Sequence, residues 1–467
     1  MALKPIPALV VAGLRSGVGK TTVTLGLIRA LTDRGLKVAA YKIGPDFLDP
    51  SHYQNAGAVY ARNLDPILQS SRGMNDLFHG SGPVDARIIE GVMGLFDGPI
   101  PGKATGSTAD IAGRFGLPVL LVCDTRSCAQ SISAEIVGAR TLLRDVPIAA
   151  VALNFVGSPR HAELLARGVR SMAGIRVAGC LFRDALPAMP SRHLGLVPAA
   201  EFHAQDGVYA RCGKAISGAF DLNRLLRDAA RAAPVEKISA RPSHARAIDS
   251  VRRSLTVAIA MDEAFSFYYP ETLDYFRARC AQMIEFSPLK DRVAPDADLY
   301  YFGGGFPEVY AARLSGNQRF REDLRRRIAD GAHVYAECGG LMYLSREIET
   351  TDGVSHPMAG ALPGRCRMHA RRQALGYWKA RVLRNTEFLR KNLVLIGHEY
   401  HWSTYEPGKA ARPVYESRKI GARDRQAAGW LAGTVFASYL HLSPHGNSEF
   451  FRRLVEWGSA RMVKRRR

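Results

Sequence analysis

A chain of 467 residues is too long for one ordinary domain, so two or three are expected. Its 47% hydrophobic and 23% charged content is that of a soluble globular enzyme, and no apolar run is long enough to span a membrane. The formal net charge of +21 attracts polyanions, yet no DNA- or RNA-binding motif accompanies it; a solvated basic surface is the bland reading and an anionic small substrate the sharper one.

The apolar run Ala8 to Ala12 leads directly into Gly13-Leu14-Arg15-Ser16-Gly17-Val18-Gly19-Lys20-Thr21-Thr22, so it reads as a first strand and not as a signal peptide. A helical pattern, Val23 to Leu31, follows. Strand, glycine-rich turn, Lys-Thr and helix make a phosphate-binding loop. Gly17 and Gly19 let backbone N–H groups converge on phosphate oxygens, Lys20 adds a point charge, and the Thr21 hydroxyl suits Mg²⁺. The usual spacing places a glycine where this chain has Leu14; its first glycine is Gly13, one residue earlier. That longer spacing resembles the dethiobiotin-synthetase and partitioning-ATPase branch of P-loop proteins.

Further strands are expected at Lys37–Ile43, Ala86–Glu90, Pro118–Cys123 and Ala149–Asn154, with helices between them as at Asp110–Phe115 and Ala129–Leu143. The alternation predicts an α/β domain over 1–230 with a parallel sheet, whose ligands bind at the carboxyl ends of the strands. Asp46 follows the second expected strand, and Glu90 and Asp97 the third. Three acids beside a triphosphate suggest Mg²⁺, although Asp46 and Asp97 could simply cap turns. Asn154, at the end of the fifth, could pair with an adenine edge.

Residues 231–253 lose the pattern and read as a Pro-, Ser- and Arg-rich linker. A second α/β domain over 254–460 is expected, with strands at Thr256–Met261, Asp298–Phe302, His333–Ala336, Val394–Ile396 and Thr434–Ser438. Cys338 falls on a strand-to-helix elbow, where a helix N-terminus is expected to favour the thiolate. Gly303, Gly304 and Gly305 follow another strand and could present N–H groups as an oxyanion hole. His441 follows a third and could serve as base, with His398, His401 and His445 as competitors. Seven scattered cysteines, an odd number with no Cys-x-x-Cys pair, argue against a disulfide framework or zinc ribbon and for a reducing cytoplasm.

The segments GLRSGVGKTTVTLGLIRAL, YKIGPDFLDPSHY, RNLD, EGVMGLFDG, STADIA, LVCDTRS, YFGGGFPE, AECGGLMYL, GHEYHWS and SYLHL together resemble the cobyrinate/hydrogenobyrinate a,c-diamide synthases, from about residue 6 to about residue 445. The resemblance implies a dethiobiotin-synthetase-like N-terminal domain and a class I glutamine amidotransferase domain. It implies ATP- and Mg²⁺-dependent amidation of corrin side-chain carboxylates, with glutamine and a corrinoid polycarboxylate as partners, no nucleic acid or membrane, and a homodimer.

By motif, Cys338 would attack glutamine, His441 would activate it, and Gly303–Gly305 would bind the oxyanion. Lys20, Thr21 and Thr22 would hold ATP and Mg²⁺, while Asp46, Glu90 and Asp97 would assist the metal and the activated carboxylate. Phe47 and Leu48 would lie against the tetrapyrrole, and Asn154 would face the adenine. The broader class I pattern has an acid two residues after the histidine; here that residue is Ser443, so a Cys–His dyad is expected with the histidine's orienting partner unidentified. Cobyric acid synthase, nickel-sirohydrochlorin diamide synthase and, from another class, a partitioning-type ATPase are the alternatives.

Overall fold

The computed structural model describes residues 5–187, 189, 191–192, 195–199, 205–232 and 255–465. They form two compact units. One holds the described residues up to Pro66 and from Met74 to Ala232, and the other holds Ile67–Gly73 and the described residues from 255 onward. The expected linker lies outside the described residues except for Arg231 and Ala232, which close a helix.

In the first unit the elements run β1 (Ala8–Gly13), α1 (Lys20–Thr32), β2 (Val38–Ile43), α2 (Leu48–Asn55), β3 (Tyr60–Leu64), α3 (Ser71–His79), β4 (Ala86–Glu90) and α4 (Thr108–Phe115). They continue through β5 (Val119–Asp124), α5 (Ile132–Leu142), β6 (Ile148–Val156), α6 (Pro159–Gly168), β7 (Val177–Phe182), the short pair β8 (Ser191–Arg192) and β9 (Gly195–Leu196), α7 (Gln205–Ala219) and α8 (Leu222–Ala232). β1 to β7 form one parallel sheet in the order β3-β2-β4-β1-β5-β6-β7.

Helices cover both faces, which is why the central strands read as unbroken apolar runs. Leu9 and Val11 pack with Leu27, Ile28 and Ile216 on one face, and Val10 and Ala12 with Ile111 and Ile136 on the other. α1 and α7 touch so closely at Gly26 that a Cβ there would lie 2.9 Å from the Cys212 carbonyl oxygen. Two strands of this sheet escaped the sequence reading. β3 (YARNL) interrupts its apolar residues with Arg62 and Asn63, and β7 (VAGCLF) is an edge strand containing a glycine. Ala86–Glu90 is therefore the fourth strand and not the third.

The second unit begins with β10 (Thr256–Ala260), α9 (Pro270–Arg277), β11 (Gln282–Phe286), β12 (Leu299–Phe302), α10 (Ala311–Gly316), α11 (Gln318–Ala329), β13 (His333–Glu337) and α12 (Gly339–Leu344). It continues with β14 (Glu347–Glu349), β15 (Ser355–Pro357), β16 (Gly364–Met368), β17 (Ala374–Val382), β18 (Val394–His401), β19 (Ser403–Pro407), β20 (Arg412–Lys419), β21 (Gln426–Ala432), β22 (Val435–Ser438), β23 (His441–Leu442) and α13 (Ser448–Arg465). The main sheet has the order β11-β10-β12-β13-β22-β21-β20-β17-β18-β23, parallel from β11 to β22 and antiparallel beyond.

The antiparallel half was largely missed because its strands mix Arg, Lys and Gln with apolar residues, the mark of one solvated face. The elbow between β13 and α12 depends on Gly340, where a Cβ would lie 2.4 Å from the Phe302 carbonyl oxygen.

Candidate active sites

In the first unit the loop after β1 bends through Gly17 (φ 78°) and Gly19 (φ 92°), left-handed conformations that glycine adopts without strain. Gly17, Gly19, Lys20, Thr21, Thr22, Asp46, Glu90 and Asn154 all line one cavity of about 640 Å³. Lys20 Nζ donates to the carbonyl oxygens of Met93 (2.6 Å) and Arg15 (3.1 Å). Burial, and then the neighbouring Lys42 charge, lower the Lys20 amine to about 8.

Glu90 is buried at the end of β4. Its Oε1 accepts from Thr21 Oγ1 at 2.5 Å and from Lys42 Nζ at 2.8 Å, and its Oε2 accepts from Tyr53 OH at 2.6 Å. Lys42 also pairs with Asp49 Oδ2 at 2.6 Å. Burial pulls the Lys42 amine down, but Asp49 and Glu90 outweigh it and hold the group protonated. Sequence reasoning passed over Lys42; its signal was a single lysine inside the apolar strand Val38–Ile43.

Asp46 combines both readings made of it: it lines the cavity, and its Oδ1 accepts from the Leu48 and Asp49 N–H groups at the start of α2. Asp97 is exposed, holds its own turn by accepting from Gly94 N–H at 2.8 Å, and is absent from the cavity wall. Phe47 is half-buried and Leu48 buried, and neither lines the cavity.

Asn154 has a part beyond the expected one. Its Nδ2 donates to the Val18 carbonyl oxygen (2.9 Å) and its Oδ1 accepts from Phe155 N–H (2.9 Å), so the amide braces the phosphate loop while the residue also lines the cavity. Asn154→Ala leaves the buried Val18 carbonyl without this donor. It should cost about 1–3 kcal/mol of stability and raise the KM for ATP about tenfold, checked by thermal unfolding and nucleotide titration.

In the second unit Cys338 sits between β13 and α12 at φ 48°, a strained position for a non-glycine residue at a functional turn. Its N–H is tied to the Ser438 carbonyl oxygen at 2.7 Å. The expectation of a lowered thiol does not hold. Burial, followed by the Glu308 and Glu399 charges, pushes the Cys338 thiol up, and α12 is only six residues long. A thiol raised in this way makes attack depend on a base to take its proton.

His441 is the candidate base. His441 is buried, and a Cβ on Gly304 would lie 2.5 Å from its Cε1 and 3.3 Å from its Nε2, so that edge of the ring faces the glycine run. Its Nδ1 lies 3.4 Å from Glu337 Oε2. Of the competitors, His401 stacks on Tyr439 with ring centroids 3.8 Å apart, and burial holds His398 neutral, lowering it to about 3. His445 packs on Gly73.

The glycine run needs a correction. Gly303 N–H donates to Tyr268 OH at 2.8 Å and Gly304 N–H to the Phe267 carbonyl oxygen at 3.3 Å. Both amides are therefore engaged. Gly305 N–H remains for an oxyanion, and it lies 3.0 Å from where a Cβ on Gly339 would sit.

The geometry supports nucleotide-phosphate binding in one unit and nucleophilic attack on an amide in the other. Known proteins agree. A family model described as the CobQ/CobB/MinD/ParA nucleotide binding domain matches residues 9–197, and one described as the CobB/CobQ-like glutamine amidotransferase domain matches residues 256–448. The cobyrinate a,c-diamide synthase of Syntrophotalea carbinolica is 41% identical over 441 residues, covering 93% of this chain and 95% of that one. The enzymes of the same name from Streptococcus sanguinis (39% over 440 residues, 92% and 94% covered) and a Synechococcus strain (40% over 441 residues, 93% and 94%) are similar. The chain belongs to the cobyrinate a,c-diamide synthase family.

Proposed function

We propose that this protein converts the a and c side-chain carboxylates of cobyrinate, or of its metal-free counterpart, to amides, using ATP and glutamine, in cobalamin biosynthesis. One observation carries the reading: a single chain holds both a P-loop cavity walled by Lys20, Thr21 and Glu90 and a cysteine elbow served by a buried histidine. Neither half alone explains the other.

A carboxylate is a poor electrophile for ammonia. In the first unit a corrin carboxylate oxygen attacks the γ-phosphorus of ATP, the bond to the β-bridging oxygen breaks, and ADP leaves. Lys20 and the amides between Gly17 and Thr22 neutralise charge on the phosphates. Ammonia then attacks the acyl phosphate carbon, inorganic phosphate departs with the C–O electron pair, and the nitrogen loses a proton. Lys42, held charged between Asp49 and Glu90 at the cavity wall, fixes those carboxylates in place.

The donor set suits Mg²⁺, which prefers oxygen ligands and few protein ones. The Thr21 hydroxyl and the Glu90 carboxylate are already within 2.5 Å of each other, and Asp46 lies on the same wall. We assign these three as its holders; when bound, the ion supplies positive charge to the phosphate oxygens.

In the second unit Cys338 Sγ passes its proton to His441 Nε2 and attacks the carboxamide carbon of glutamine. The oxyanion forms near Gly305 N–H, and His441 returns the proton to the leaving nitrogen, releasing ammonia and a thioester that water hydrolyses to glutamate. A cytoplasmic setting is supported by all seven cysteines being unpaired.

Lys20 links the reading to pH. Lowered to about 8, its amine is partly neutral just where nucleotide phosphates demand the charged form. ATP binding should therefore take up about half a proton at pH 8, rising toward one above it, and weaken as pH rises through that value. Calorimetry in buffers of differing ionisation enthalpy measures this; proton uptake of zero at pH 8 would contradict it.

The reading as a whole is tested by ADP release in the presence of ATP, Mg²⁺ and glutamine. Release should depend on a corrinoid polycarboxylate. ATPase activity indifferent to corrinoid and glutamine, with salt-sensitive DNA binding, would point instead to a partitioning-type switch.

A further inference from the structure

We propose that Glu337, the residue before the nucleophile, is the acid that orients His441. It fills the part that the broader class I pattern gives to an acid two residues after the histidine and that Ser443 leaves open. The proposal rests on the glutaminase reading of Cys338.

Glu337 ends β13 and is 2% exposed. A buried carboxylate is tolerated only when its lone pairs are satisfied. Here Oε1 accepts from Tyr335 OH at 2.5 Å and from Leu442 N–H at 3.1 Å, and Oε2 accepts from Tyr301 OH at 2.9 Å. The remaining approach to Oε2 is that of His441 Nδ1, at 3.4 Å. The carboxylate therefore lies against the ring of His441 and holds the backbone of the next residue.

The position that usually carries the acid is occupied differently: Ser443 Oγ lies 3.3 Å from Glu271 Oε1. With Nδ1 turned to Glu337, Cε1 and Nε2 are left on the side of Gly304. When Nε2 takes the thiol proton, the Nδ1–H of the imidazolium donates to a carboxylate already fixed by three other donors. Glu337 is thus a positioning residue that stabilises the charged form of the base. Catalytic hydrogen bonds of this kind shorten once substrate is bound.

The test is glutaminase kinetics of Glu337→Gln against pH. The substitution keeps the shape but removes the charge. Expected is a fall in kcat of about 10²–10⁴-fold with the KM for glutamine within about threefold. The acid limb of the kcat/KM profile should move lower, because the imidazolium formed in the reaction loses its anionic partner.

The other titratable groups nearby are His398, which pairs with His441 across β18 and β23, and Glu308 and Glu399 beside Cys338; all remain in the variant. Glu337→Asp, which keeps the charge on a shorter arm, should retain the wild-type limb and recover about tenfold of the loss. A purely structural role would lower activity without moving the limb. That result, or a loss below about fivefold in Glu337→Gln, would overturn the assignment. Should Glu337→Gln fail to fold, a displaced limb in Glu337→Asp would overturn it equally. Wild-type protein without glutaminase activity would instead sink the underlying reading of Cys338.

Discussion

Replacing Cys338 with alanine should lower glutamine-supported amidation by at least about 10³-fold while ammonia-supported amidation stays within about twofold of wild type. The asymmetry follows from the chemistry of the two units. In the proposed reading the thiol forms the thioester that frees nitrogen from glutamine, and alanine offers no nucleophile in its place. Alanine is smaller than cysteine and keeps the Cys338 N–H bond to the Ser438 carbonyl oxygen, so the elbow is not dismantled. External ammonia bypasses the step. Both reactions are measured as amide formed on the corrinoid, with high ammonium at alkaline pH as the second nitrogen source. Loss of both activities in a folded variant would count heavily against a glutaminase role for this cysteine.

Lys20→Ala should behave in the opposite way, lowering amidation by about 10²–10⁴-fold whichever nitrogen source is used. The amine lies in the cavity wall beside Thr21 and Glu90, and in the proposed reading its charge is set against the phosphates of ATP. Its bonds to the Arg15 and Met93 carbonyl oxygens also shape the loop, so part of the loss will be in ATP binding. Arginine should not restore activity, because its broad planar fork cannot replace a compact ammonium between two carbonyl oxygens. Steady-state rates with glutamine and with ammonia separate the outcomes: equal losses fit carboxylate activation in this cavity, and a loss confined to glutamine would not.

The parts of both sites that sit immediately after strands were legible in the chain. Gly17, Gly19, Lys20, Thr21 and Glu90 are named by short linear patterns, and the structure brings them to one cavity. Cys338 and His441 were legible for the same reason. What stayed hidden depends on residues distant in sequence. Leu442 and Glu337 are 105 positions apart, so an acid adjacent to the nucleophile gave no hint that it served the histidine.

The engagement of the Gly303 amide by Tyr268 OH, 35 positions away, was likewise unreadable. For Cys338 the expectation weighed a helix terminus against nothing, whereas burial and two neighbouring carboxylates outweigh a six-residue helix. Asn154 was placed correctly at a strand end, but its partner is the loop itself. Phe47 and Leu48 were assigned by motif alone, and the described cavity is walled by other residues.

The central claim is that this chain adds two amides to a corrin ring. The direct measurement is mass spectrometry of the corrinoid after incubation with ATP, Mg²⁺ and glutamine, using cobyrinic acid and its metal-free counterpart side by side. The expected product has two carboxylates converted to amides, with one ADP released for each. A product bearing four new amides, or corrinoid recovered unchanged from both rings while the protein still hydrolyses glutamine, would contradict it.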